Sequence, residues 1–346
     1  MGVQIRNLLP GLVAAGAVGA AALGLAGLIR AAPPELPVSA ALLAILAGLL
    51  LAGAAGRRPH WQPGLGKAAG PLLKLGVMLI GLRLSLADIG ALGLQALAPA
   101  LAVIVLALLA MALLARLAGI PHRLAALLGV GTAICGASAI AATAPGLQAR
   151  AEETGYAVAC VALFGVAATL TWPWVFHPLL EDPRLVGIAL GASIHDTAQV
   201  TGAAMLYDEI HASHEALEAA TVTKLLRNAA MLVVVPVVVA WMMRGEAEGG
   251  GGFPKLPLFI LGFLGFAGLR SLGDLGFGDS APVWEQMLGA ASWLSNGLIA
   301  VALAAMGMGI RLGGLRALGW RPAAAALACA LGIAAAAVAG LRLFYA

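Results

Sequence analysis

Two adjacent side chains, His195 and Asp196, stand about eleven residues into an apolar run that begins near Arg184. An ionisable group inside a membrane span costs roughly 2.5–3.5 kcal/mol on insertion scales, so it needs a function or a partner. Histidine titrates near neutral pH, and an intramembrane aspartate can carry a proton or a cation. If the segment is helical, Gln199 shares their face, three and four residues further on. The structural alternative has Asp196 neutralised by a buried lysine or arginine, the pair holding the bundle together.

A second group lies in the next apolar run, where Thr221, Lys224 and Asn228 share a helical face and Arg227 stands a little to one side. Together with Lys74 in an earlier run, these cations outnumber the one deep carboxylate, Asp196. A surplus of buried positive charge suits an anionic solute better than a metal cation. The alternative is that Lys224 and Arg227 snorkel to the nearer interface.

The third group is a stretch of small residues, Gly129–Ala142, which reads GVGTAICGASAIAA in the middle of an apolar run. Glycine lowers the cost of breaking a helix, and unwound backbone at membrane depth must line a cavity or be buried in protein. Thr132, Cys135, Gly136 and Ser138 would then present hydroxyls and freed backbone N–H groups to an anion. A similar stretch, Gly191–Gly202, follows about sixty residues later and holds His195 and Asp196. Two such stretches point to a binding site at the bilayer midplane. Tight helix packing without any ligand is the alternative. Asn296-Gly297 is a further candidate break.

The elements that must position these groups are membrane helices. Of 346 residues, 62% are hydrophobic and 10% charged, against about 25% charged in ordinary globular chains. Mean hydropathy is +0.98. Eleven apolar segments, roughly 8–29, 38–56, 69–86, 95–115, 123–145, 155–178, 184–207, 216–243, 255–270, 285–310 and 321–344, predict an all-α polytopic protein forming a single transmembrane domain. An N-terminus on the cytoplasmic side places twelve basic residues there, Arg123 and Arg184 among them, and five on the other side, among them Arg83, Arg150 and Arg270. The odd count suggests an extra first helix followed by halves 38–178 and 184–344, inverted relative to each other. An echo of GLRL at Gly81–Leu84 and GIRL at Gly309–Leu312 pairs the third segment with the tenth, where a five-plus-five register pairs it with the eighth.

Cys135, Cys160 and Cys329 all fall in apolar segments and read as small buried hydrophobes. His211, His214 and Glu215 read as a solvated loop and not a metal site. There is no Walker A loop, Rossmann fingerprint or HExxH motif, so nucleotide-driven pumping and zincin proteolysis have no support, and the net charge of +4 is read through its distribution along the chain and not as a sign of nucleic-acid binding. No catalytic residue, metal or cofactor is expected beyond a coupling ion, H⁺ or Na⁺.

Four stretches carry a family resemblance: GTAICGASAIAATAP at 131–145, GASIHDTAQVTGA at 191–203, TKLLRN at 223–228 and LGVMLIGLRLSLAD at 75–88. They resemble the bacterial YeiH-type sulfate exporter family over nearly the whole chain from about residue 40. The resemblance implies a bacterial inner-membrane transporter related to cation:proton antiporters and bile-acid symporters, built from inverted repeats with broken, crossed helices. By that analogy the fifth and tenth segments cross, which would bring Thr132–Ser138 near Asn296. The function expected is secondary transport of a small anion, sulfate or an organosulfonate, by alternating access, in a chain compatible with a homodimer. The rival is a sodium- or proton-coupled carrier of another solute, or a cation:proton antiporter working through Asp196.

Overall fold

A computed structural model describes residues 2–31, 40–243, 258–277, 282–309 and 318–345, and its regular structure there is entirely helical. The all-α polytopic architecture is the expected one. Pro33-Pro34, the glycine run Gly249–Gly252, most of the Gly309–Leu312 echo, and four of the basic residues expected on the cytoplasmic side, Arg244, Lys255, Arg311 and Arg316, lie outside the described residues. Eight helical stretches are long and apolar enough to cross a membrane, and Ala40–Gly56 is a shorter apolar helix. Two interrupted helices complete the eleven expected segments.

The chain forms two compact units. One comprises Met1–Leu92, Thr201–Glu218 and Leu258–Ile310. It contains α1 (Gly2–Ala31), α2 (Ala40–Gly56), α3 (Gln62–Lys67) continuing through a π-turn into α4 (Leu73–Ile80), α12 (Leu258–Phe277) and α13 (Pro282–Gly309). Glycine lets α2 and α13 approach until their backbones touch: a Cβ on Gly48 would meet the Ala304 carbonyl and the Gly307 Cα. Lys74, counted above among the deep cations, is exposed on α4 and lies over the Phe259 ring.

The other unit comprises Gly93–Val200, Ala219–Pro257 and Arg311–Ala346. It holds most of α5 (Leu86–Ala118), then α6 (His122–Ala133), α7 (Ala137–Thr143), α8 (Ala151–Leu180), α9 (Pro183–Ser193), the start of α10 (Thr197–His211), most of α11 (Glu215–Met242), and α14 (Trp320–Tyr345). Its core runs from Met111 of α5 through Leu124, Leu127 and Ile140 to Cys160 and Ile333.

Here the structure departs from the expected threading. The segment containing α6 and α7 does not cross; it turns back. Arg123 Nη1 donates to the Gln148 carbonyl at 3.3 Å, so the two ends of the segment are neighbours. Halfway in, a Cβ on Gly131 would press on the Ile140 side chain. Both pairs are centred on Cys135-Gly136, the tip of a re-entrant hairpin.

His122 and Arg123 at its base share a cavity with Glu153 of α8 and with Trp241 and Met242 of α11. The start of α8 and the end of α11 are therefore on the hairpin's own face. The apolar spans of α8 and α11, at 29 and 28 residues, are long enough to cross, which puts Leu180 and Glu215 at the opposite face. The segment α9–α10 starts at Pro183 and ends at His211, so it too enters and leaves on one face, the opposite one.

Residues 122–180 and 183–242 are thus each a hairpin followed by a crossing helix, in opposite orientation. This pairing differs from the expected halves 38–178 and 184–344, and at an offset of sixty Gly131 and Ile134 match Gly191 and Ile194. Two positions expected on opposite faces change places: Arg150 joins Arg123, and Arg184 moves away. Asn296-Gly297 is not a break, because α13 runs unbroken from Pro282 to Gly309.

Candidate functional site

A helix that stops leaves its last carbonyls without partners, and inside a membrane there is no water to take them. Both α6 and α9 stop in the protein interior. Ile134 (φ −117°, ψ −97°) ends α6, and Gly136 follows at φ +65°, ψ −124°. Ile194 turns extended (ψ 143°) after α9. A Cβ on Gly136 would lie 3.6 Å from the His195 carbonyl oxygen and 3.7 Å from Asp196 Cβ, so the two tips touch.

The orphaned carbonyls are collected by two cations one helical turn apart on α11. Lys224 Nζ donates to Ile134 O at 2.8 Å, to Ile194 O at 2.9 Å and to His195 O. Arg227 Nε donates to Ala133 O at 3.0 Å and Nη2 to Thr132 O at 2.6 Å. Its Nη1 is shared among Gly191, Ala192 and Ile194 carbonyls at 2.7–3.0 Å. Both side chains are fully buried. They do not snorkel. Positive charge at two helix C-termini also offsets the negative ends of two dipoles. The clamp breaks the repeat's symmetry, since Phe164 and Ala167 stand sixty residues before Lys224 and Arg227.

Asp196 and Gln199 form a reciprocal cap at the start of α10. Asp196 Oδ1 accepts from Ala198 N at 2.9 Å, and Gln199 Oε1 accepts from Asp196 N at 3.1 Å. Gln199 Nε2 donates to Ala162 O of α8 at 3.0 Å, lying over Gly165, where any Cβ would collide with the amide. Thr169 Oγ1 donates to the Gly165 carbonyl at 2.8 Å and lies 3.2 Å from the Gln199 carbonyl, which closes this corner.

Three buried polar atoms of this unit have no hydrogen-bond partner: Thr132 Oγ1, His195 Nδ1 and Asn228 Oδ1. Each belongs to, or adjoins, a residue of the clamp. Asn228 Nδ2 donates to Thr197 Oγ1 at 3.3 Å, which ties α11 to the start of α10. An amide oxygen, a hydroxyl and an imidazole nitrogen of residues around the clamp are thus buried and unsatisfied.

Of the residues singled out from sequence, Thr132, Cys135, Gly136, His195, Asp196, Gln199, Lys224, Arg227 and Asn228 come together here. Ser138 is exposed. Asn296 belongs to the other unit, where its Oδ1 accepts from Arg83 Nη2 at 3.0 Å. Sequence reading missed Gly165, Thr169 and Thr197, and it missed that the clamp's partners are main-chain carbonyls. No cluster of metal-ligating side chains occurs among the described residues.

The profile of the family described as conserved hypothetical protein 698 matches residues 10–326. The chain belongs to this family. Its relatives are named as membrane proteins. A UPF0324 membrane protein of Geobacter sulfurreducens is 37% identical over 197 residues, 57% of each chain. Another, of Pseudomonas aeruginosa, is 31% identical over 217 residues, 60% of this chain and 58% of the relative. A third, of Bordetella bronchiseptica, is 33% identical over 244 residues, 68% of this chain and 72% of the relative. The chain spans less than two thirds of the Geobacter and Pseudomonas relatives. No solved structure matches it.

Proposed function

We propose that the protein is a secondary carrier that moves a small anion across the bacterial inner membrane by alternating access, with its N-terminus in the cytoplasm. The observation that carries the reading is the meeting of two oppositely inserted hairpin tips at a buried polar point. There the cations Lys224 and Arg227 face the single carboxylate of Asp196. Interrupted helices meeting at mid-membrane are the usual place for a transported solute. The net positive charge favours an anion, and sulfate or an organosulfonate is the substrate class that fits the family resemblance.

In this account Lys224 and Arg227 set the potential while their protons stay on carbonyls. The anion is held by the Thr132 hydroxyl and backbone N–H groups at the tips. His195 and Asp196 carry the coupling proton. A sodium-coupled mechanism finds less support, because unwound carbonyls are the usual Na⁺ ligands and here the protein's own ammonium and guanidinium occupy them.

Thr132→Val tests the site without disturbing the fold. The exchange is nearly isosteric, and the lost hydroxyl has no protein partner. Melting temperature is expected to stay within about 2 °C. Uptake of labelled sulfate or a sulfonate into proteoliposomes should fall about tenfold or more, as a hydrogen bond to a charged group contributes roughly 1.5–3 kcal/mol. Uptake should follow a pH gradient and ignore a Na⁺ gradient. Wild-type uptake by the variant would move the binding site elsewhere, and uptake that needs Na⁺ would replace the proton-coupled mechanism.

A further inference from the structure

We propose that the first unit carries a second, separate binding site for a small zwitterion, held by Arg83 through its anionic group and by Glu218 through its primary ammonium. The inference does not rest on the transport reading. A cavity of about 770 Å³ is lined by residues that include Arg83, Asp208, Glu209, Glu218, Arg270 and Asn296, a size within the usual range of small-molecule sites.

Three of its five charged side chains, Asp208, Glu209 and Arg270, are already engaged. Both carboxylate oxygens of Asp208 accept backbone N–H groups of Ala216 and Leu217, at 3.2 and 3.0 Å, capping α11. Arg270 pairs with Asp274 at 2.6 Å and donates to the Leu82 carbonyl. The other two are not. Arg83 donates from Nη2 to Asn296, but its Nε is buried and has no hydrogen-bond partner. Glu218 faces the same cavity without coming within the 4.0 Å of Arg83 that makes an ion pair.

Opposite charges lining one cavity attract each other. They stay apart at low cost when something between them satisfies both. A lone anion on Arg83 would be repelled by Glu218, and a lone cation on Glu218 by Arg83. A molecule carrying both charges meets neither penalty. A free amino-acid-like solute and the headgroup of an ethanolamine phospholipid share this chemistry.

The test uses the full chain in nanodiscs of phosphatidylglycerol. Melting temperature is read with β-alanine or O-phosphoethanolamine, and with the single-charge analogues propionate and ethylamine. A bound zwitterion should raise it by a few degrees by mass action, and the single-charge analogues should not. Glu218→Gln, nearly isosteric, and Arg83→Gln should each abolish the shift, while Thr132→Val should leave it intact. If Arg83→Gln does not fold, Arg83→Lys should weaken binding about tenfold, because the planar fork is lost. A shift produced by adding phosphatidylethanolamine to the bilayer, and not by the soluble probes, identifies the lipid headgroup as the zwitterion. No shift from any zwitterion, an equal shift from propionate, or a shift that survives both glutamine variants would overturn the site.

Discussion

Arg227→Met is expected to cost the protein about 3–5 kcal/mol, enough to leave little folded material after purification. Methionine keeps the length and packing of the arginine stem but none of its hydrogen bonds. Five carbonyls, those of Thr132, Ala133, Gly191, Ala192 and Ile194, lose a donor. Only Ile194 keeps another, from Lys224. Each carbonyl left unsatisfied away from water costs on the order of 1–3 kcal/mol. Release of a buried guanidinium returns part of that sum. Arg227→Lys should rescue little, because an ammonium cannot span ends that the planar fork reaches together. Thermal unfolding followed by size-exclusion profiles reads the effect directly. A variant as stable as wild type would mean that the clamp does not hold the hairpin tips.

Gly136→Ala is expected to abolish transport and to destabilise the protein by about 1–3 kcal/mol, the usual cost of an L-residue held in a sparsely populated conformation. Space is not the obstacle, since a Cβ there meets its nearest neighbours at 3.6–3.7 Å, ordinary contact. The obstacle is the backbone at φ +65°, ψ −124°. Relief of that strain moves the first tip away from His195 and Asp196. Proteoliposome uptake and melting temperature should therefore fall together. In Thr132→Val, by contrast, uptake falls alone.

Much of this arrangement was legible in the sequence. The small-residue stretches at Gly129–Ala142 and Gly191–Gly202 mark both interruptions, because glycine in an apolar run is a local and readable signal. Lys224 and Arg227 were visible as costly charges in one helix. Their partners were not, since main-chain carbonyls carry no residue label and only the fold decides which ones are stranded.

Nor could hydropathy distinguish a crossing from a re-entrant hairpin. The 123–145 run has the length of a span, and hydropathy measures length without direction. The clue lay in the pairing of its ends, where Arg123 and Gln148 meet only once the chain has turned at Gly136. Asn296-Gly297 misled for the opposite reason: polar and flexible residues in an apolar helix suggested a break, yet Asn296 is satisfied by Arg83 and α13 continues through it.

The central claim is that the meeting point of the tips opens to each face in turn. Cys135 already sits at the first tip, buried, and can report on it once the other buried cysteines, Cys160 and Cys329, are replaced by alanine. Its labelling by a membrane-impermeant thiol reagent is measured in right-side-out and in inverted vesicles. Cys135 should react from both faces, slowly, and more slowly from both when the transported anion is present. Labelling from one face alone, or from neither, would contradict alternating access at this site.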